Sequence, residues 1–116
     1  MTALPEILAA LRAQRLVCDT ERRLHASMET ALTTAEIPFE REVRLSPVDR
    51  IDFMVGAIGI EAKVRGARLT VWRQLERYAR HGDIEAIVLV GAIAMPNVVQ
   101  IEGKPFAHVS IGSAWL

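Results

Sequence analysis

The stretch Arg50–Lys63, RIDFMVGAIGIEAK, constrains the fold more than any other part of the chain. Ile51, Phe53 and Val55 alternate with Asp52 and Met54. After Gly56-Ala57, Ile58, Ile60, Ala62 and Val64 alternate with Gly59, Glu61 and Lys63. Period-two alternation predicts two strands, each with one apolar face. A two-residue loop with glycine first fits a type II′ hairpin turn. That turn fixes the register: Val55 faces Ile58, Phe53 faces Ile60, and Asp52 falls opposite Glu61. A three-residue loop would shift the register by one and remove the pairing.

Like charges directly opposite one another on a sheet destabilise it. The arrangement makes sense if a cation sits between the two carboxylates, and Mg²⁺ is a hard ion often held by one or two carboxylates plus phosphate. Lys63 lies two residues beyond Glu61 and so on the same face. Two acids and an ammonium group would then converge on one spot. The competing reading is a solvated polar face with a Glu61–Lys63 or Asp52–Lys63 ion pair.

Composition narrows the class. The chain has 116 residues, is 51% hydrophobic and has zero formal net charge. This predicts one globular domain with a single core. Nucleic-acid binding, if present, must come from a local patch and not from the overall field. Cys18 is the only cysteine, which excludes an internal disulfide. His25, His81 and His108 are scattered, without zinc-ligand spacing. The longest apolar run, Ala86 to Met95, is far short of the roughly 20 residues of a membrane helix. No signal-peptide pattern opens the chain, so no membrane association and a cytoplasmic location are expected.

Along the chain, Leu4, Ile7, Leu8 and Leu11 predict a first helix, with Pro5 in its first turn. The sequence leaves open whether it packs on the domain or on a partner. A second helix is predicted from about Thr20 to Ala35, capped by Asp19 or Thr20, with an apolar stripe of Leu24, Met28, Ala31, Leu32 and Ala35. Glu21 extends that stripe at its N-terminal end; a favourable contact with the helix dipole is the alternative reading. Phe39–Leu45 predicts a strand with Phe39, Arg41, Val43 and Leu45 on one side. The central hairpin follows, and then a helix from Leu69 or Thr70 to His81, with Gly82 as C-cap. Val71, Trp72, Leu75, Tyr78 and Ala79 form its apolar stripe, and Gln74, Arg77, Tyr78 and His81 an adjacent one. Between Lys63 and His81 stand Lys63, Arg65, Arg68, Arg73, Arg77 and Arg80, against one acid, Glu76. A basic face is often merely solvated; beside two acids and a lysine it suggests phosphate contact. Ile84–Val90 predicts a buried strand parallel to Ile58–Val64. Val98–Ile101 reads as a short strand or irregular. Phe106–Ile111 reads as the last strand, with His108 at its rim.

This order and these residues resemble the PD-(D/E)XK nuclease superfamily. Its signature is an acid on the second core strand and, after a hairpin, (D/E)-x-K on the third. Here these are Asp52 and Glu61-Ala62-Lys63; Ile51 stands where a proline often precedes the acid. Many members carry a glutamate on the first core helix, which Glu21 would match better than Glu29. A RecB-like branch adds Q-x-x-x-Y, matched by Gln74 and Tyr78. Small single-domain members also resemble Holliday-junction resolvases. The resemblance implies an α/β (α+β) fold with a restriction-endonuclease-like αβββαβ core over residues 19–112, a mixed sheet flanked by helices, and an extra N-terminal helix over 1–18, all in one domain, 1–116.

The activity so implied is Mg²⁺- or Mn²⁺-dependent hydrolysis of DNA phosphodiesters, including structured or branched DNA. Asp52, Glu61 and the backbone carbonyl of Ala62 would hold the metal, with Glu21 acting through an outer water or a second ion. Lys63 would orient or deprotonate the attacking water. Gln74 and Tyr78 would position the DNA backbone, and Arg65, Arg68, Arg73 and Arg77 would contact phosphates. Cutting both strands of a duplex takes two sites, which suggests a homodimer joined by the first helix or the final strand. The alternatives are a non-catalytic binding or dimerising module of the same fold and a subunit of a larger nuclease complex.

Overall fold

The computed structural model describes residues 2–111. Three helices, α1 (Leu4–Arg12), α2 (Glu21–Thr34) and α3 (Arg68–Ala79), enclose one mixed sheet. Its strands are β1 (Glu40–Arg44), β2 (Arg50–Val55), β3 (Ile58–Lys63), β4 (Ala86–Gly91), β5 (Gln100–Ile101) and β6 (Lys104–Ser110), in the order β1-β2-β3-β4-β6-β5. The elements from Glu21 to Gly91 follow the order α-β-β-β-α-β. Pairing is antiparallel from β1 to β3, parallel from β3 through β4 to β6, and antiparallel between β5 and β6.

The hairpin turn and register follow the sequence expectation. Gly56 takes φ +57° while Ala57 keeps a negative φ, as a II′ turn requires. Val55 pairs with Ile58 and Phe53 with Ile60. The crossover through α3 lays β4 parallel to β3, with Ile58 beside Ala86 and Lys63 beside Gly91.

The sheet is buried on both faces, by two separate apolar clusters. On one face, Ile7 and Leu11 of α1 and Leu24, Met28 and Leu32 of α2 pack on Phe53, Val55, Ile60, Ala62, Val88 and Val90. On the other, Val71, Leu75, Tyr78 and Ala79 of α3 pack on Ile51, Met54, Ile87, Leu89 and Phe106. The first helix therefore commits its apolar face to the domain itself: Ile7 and Leu11 are fully buried. The final strand is paired by β4 along most of its length and by the two-residue β5 only at Lys104 and Pro105.

A second expectation also changes. Phe39 and Arg41 lie on the α2 face, whereas Val43 and Leu45 pack in the α3 cluster. The switch falls at Glu42, whose φ of +51° breaks the two-residue alternation. The opposite strand switches with it: Ile51 belongs to the α3 cluster and Phe53 to the α2 cluster. Asp52, between them, is freed from the pleat.

Gly91 holds the parallel strands together at the site's edge. It has φ +151°, and a Cβ there would lie 1.8 Å from the carbonyl oxygen of Lys63. Gly91→Ala should therefore force β4 from β3 and destabilise the protein by about 2 kcal/mol or more. Urea unfolding checks this, with the midpoint expected to fall.

Candidate active site at a fork in the sheet

The β2–β3 ladder ends at Phe53–Ile60. Beyond it two backbone amides have lost their strand partners, and carboxylates from the facing strand take them. The amide of Asp52 donates to Glu61 Oε1 at 3.1 Å, and the amide of Ala62 donates to Asp52 Oδ2 at 2.8 Å. The two acids are thus opposite, as the register predicts, but they are crossed: each side chain binds the other's strand. A strand residue directs its N–H and C=O to the same edge. The carbonyl of Ala62 therefore faces the same gap as its amide.

Glu61 is buried, at 3% exposure. Lys63 Nζ lies 3.4 Å from its Oε2, on the same face, as expected. Burial and the neighbouring Asp52 push the Glu61 carboxyl up to about 8, against the opposing pull of Lys63. Burial is the larger of the two causes, and the nearby Asp52 charge adds to it.

Gln74 and Tyr78 do converge here, as the Q-x-x-x-Y spacing implies, with Gln74 half-buried and Tyr78 behind it. Tyr78 is 2% exposed. Its hydroxyl donates to the Arg50 carbonyl at 3.1 Å, accepts from Gln74 Nε2 at 2.8 Å and stands 3.5 Å from Glu61 Oε2. Burial and the nearby Glu61 raise the phenol's pKa, so it stays neutral. The Tyr78 hydroxyl is thus buried beside Glu61 and tied to β2 through the Arg50 carbonyl.

The helix contribution also differs from expectation. Glu21 is exposed at the first position of α2, and its side chain has no hydrogen-bond or ion-pair partner among the described residues. Helical side chains lean toward the N-terminus, so a residue covers surface one turn before its own Cα. Glu21 therefore leans past the helix end, and His25, one turn later, takes the place over Asp52. His25 Nε2 is buried 3.3 Å from Asp52 Oδ2, out of line for a hydrogen bond. Its Nδ1 lies 2.9 Å from Arg41 Nη2. Arginine only donates, so Nδ1 accepts and the neutral ring carries its proton on Nε2, toward Asp52. Arg41 is fixed in turn by Glu29 at 3.1 Å and by the Phe53 ring, 4.5 Å from its Cζ. Glu29 thus serves Arg41 and not the acid pair. The position of His25, four residues after Glu21 and three before Met28, is the available signal.

Asp49 is a third acid that sequence reasoning passed over, because it sits in the turn before β2. It is buried at 5% exposure and binds His81 Nε2 at 3.1 Å and Arg77 Nη2 at 3.3 Å. Arg77 is accordingly engaged within the protein. Arg65, Arg68 and Arg73 are exposed and form no ion pair among the described residues.

Among the described residues no group of three or more His, Cys, Asp or Glu side chains could hold a metal ion, and no helix is long and apolar enough to cross a membrane. No family model matches the chain, and comparison with curated proteins and with solved structures gives no match either.

The raised Glu61 carboxyl sets a pH dependence. The folded state binds this proton more tightly than the unfolded chain, whose carboxyl titrates near 4.5. The stabilisation is complete below that value and is lost as pH rises through about 8. A pKa difference of one between folded and unfolded chain corresponds to about 1.4 kcal/mol. Thermal unfolding in EDTA should show Tm falling between pH 5 and 8 in the wild type, with a much flatter profile for Glu61→Gln.

Proposed function

We propose that the chain is a metal-dependent nuclease of the PD-(D/E)XK type, hydrolysing phosphodiester bonds of DNA. The observation that carries this reading is the fork itself: two crossed carboxylates from adjacent strands, buried against one lysine. The α-β-β-β-α-β order over Glu21–Gly91 is the order of that superfamily's core.

The donor set fits Mg²⁺ or Mn²⁺. Asp52 and Glu61 each use one oxygen on the facing strand, leaving Asp52 Oδ1 and Glu61 Oε2, the latter beside Lys63 and Tyr78, as the second oxygens. With the Ala62 carbonyl this gives three hard oxygen donors, the kind and number Mg²⁺ takes when water and phosphate complete its shell. A bound ion would supply Lewis-acid polarisation of a phosphoryl oxygen and a more acidic water. Burial first and the Asp52 charge second raise the Glu61 carboxyl, and a bound cation would oppose both by favouring the ionised form.

The rest of the chemistry belongs to the chain's own side chains. Lys63 favours the charged form of Glu61 and presents an ammonium group to the water or to the developing negative charge. Tyr78, braced by Gln74, keeps Glu61 from swinging out. His25 places its Nε2 3.3 Å from Asp52 without a hydrogen bond, and its ring is fixed by Arg41. Arg65, Arg68 and Arg73 supply sequence-independent phosphate contacts.

One observation favours a second reading. The crossed hydrogen bonds already satisfy one oxygen of each acid, so a proton shared near Glu61 would make the fork a purely structural joint. A non-catalytic nucleic-acid-binding module, or a subunit of a larger nuclease complex, would then share the fold.

Labelled single-stranded, duplex, flapped and four-way-junction DNA, with Mg²⁺, Mn²⁺ or EDTA, separates the two. The nuclease reading expects metal-dependent cutting by the wild type, reduced at least 100-fold in Lys63→Ala. It also expects Mg²⁺ to raise Tm at pH 8 in the wild type and not in Asp52→Asn. Cutting that survives in Lys63→Ala, or a Tm indifferent to Mg²⁺, would sink it.

A further inference from the structure

An exposed apolar cleft lies outside the fork, where the start of α3 meets the segment after β4. Arg68, Leu69, Trp72, Met95, Pro96 and Val98 line a cleft of about 410 Å³. Leu69 is 59% exposed, and Val99, next in sequence to the lining Val98, is 73% exposed. Elsewhere the large apolar side chains are mostly covered, so this patch calls for an occupant.

The charge around the cleft identifies the chemistry. Residues 62–75 and 92–99, which furnish the whole lining, contain no aspartate or glutamate. Arg65, Arg68 and Arg73 crowd the same end of α3 without an ion pair among the described residues. Four other arginines are ion-paired within the protein, Arg23 by Asp19, Arg41 by Glu29, Arg77 by Asp49 and Arg80 by Glu102, whereas Arg12, Arg22, Arg44 and Arg50 form no ion pair among the described residues. An apolar slot with an uncompensated basic rim suits a ligand that is a polyanion with a flat apolar part. Trp72 supplies a ring for that part. Its edge-on contact with Phe106, centroids 5.2 Å apart at 80°, fixes the indole so that little freedom is lost on binding.

We propose that this cleft takes an unpaired base of a single-stranded segment, stacked with Trp72 while Arg65, Arg68 and Arg73 hold the flanking phosphates. Duplex DNA keeps its bases stacked on one another and offers only backbone to such a slot. The proposal rests on the reading of the chain as a nucleic-acid protein and adds a substrate preference: strands with unpaired nucleotides beside the cutting site.

The test is fluorescence anisotropy in EDTA with the full chain and three probes: a labelled oligo-dT, the same strand with abasic sites replacing its central thymidines, and a duplex of equal length. Wild type should bind oligo-dT about tenfold or more tightly than the abasic strand. Trp72→Ala should erase that gap while changing duplex affinity less than twofold, and Trp72→Phe should restore most of it. Equal wild-type affinity for dT and abasic strands would overturn the proposal. So would an equal loss on all three probes that Trp72→Phe does not rescue. Sedimentation gives a further decisive outcome: if Trp72→Ala converts a dimer to a monomer and leaves the dT–abasic gap intact, a second copy of the chain fills the cleft instead. The two readings fail separately. Trp72-dependent stacking without Mg²⁺-dependent cutting would remove the nuclease and keep the cleft, and cutting without stacking would do the reverse.

Discussion

Where β2 and β3 part company, the amides of Asp52 and Ala62 face a gap, and each is taken by a carboxylate from the far side. An orphaned buried amide would cost roughly 1–3 kcal/mol, so these bonds let the strands separate without an unpaired group. They also bring two acids into contact in a buried place. The surroundings then follow as compensation. Lys63 offsets part of the charge, the neutral phenol of Tyr78 occupies the flank, and burial together with the facing Asp52 raises the Glu61 carboxyl.

The fork lies where the two apolar clusters come nearest to exchanging partners. Ile51 belongs to one and Phe53 to the other, with Asp52 between them. One helix layer reaches it through His25, Arg41 and Glu29, and the other through Tyr78, Gln74 and the Asp49–His81–Arg77 group. Each polar group is held from behind by another, so the geometry at the acids depends on both cores at once. Side chains fixed in this way are preorganised, as electrostatic chemistry at a phosphate requires.

Much of this was legible in the sequence because it depends on short-range rules. Gly56-Ala57 dictates the turn, the turn dictates the register, and the register sets Asp52 against Glu61. The parallel placement of β4 follows equally from the apolar run after α3. What was illegible depends on directions that spacing does not encode. Nothing in EREVR announces that Glu42 adopts a left-handed conformation, so the change of face along β1 and β2 could not be read. The period of a helix assigns Glu21 and His25 to nearly one stripe, and only the backward lean of side chains decides between them. The interval from Gln74 to Tyr78 brought both residues to the acids, but burial decided that Tyr78 serves Glu61. Asp49 carries no local pattern, since its partners Arg77 and His81 lie 28 and 32 residues away.

The borders of the sheet carry a consequence for how the molecule meets others. β1 presents Glu40, Glu42 and Arg44 outward, with a break in its pleat at Glu42, and β5 at the far border is two residues long. A flat, continuous border invites a foreign strand to add itself; a charged, interrupted one and a very short one do not. Neither border is therefore a long, flat template: a strand adding itself would meet charge and a broken pleat along β1, and at the far side only the two residues of β5 before the remainder of β6.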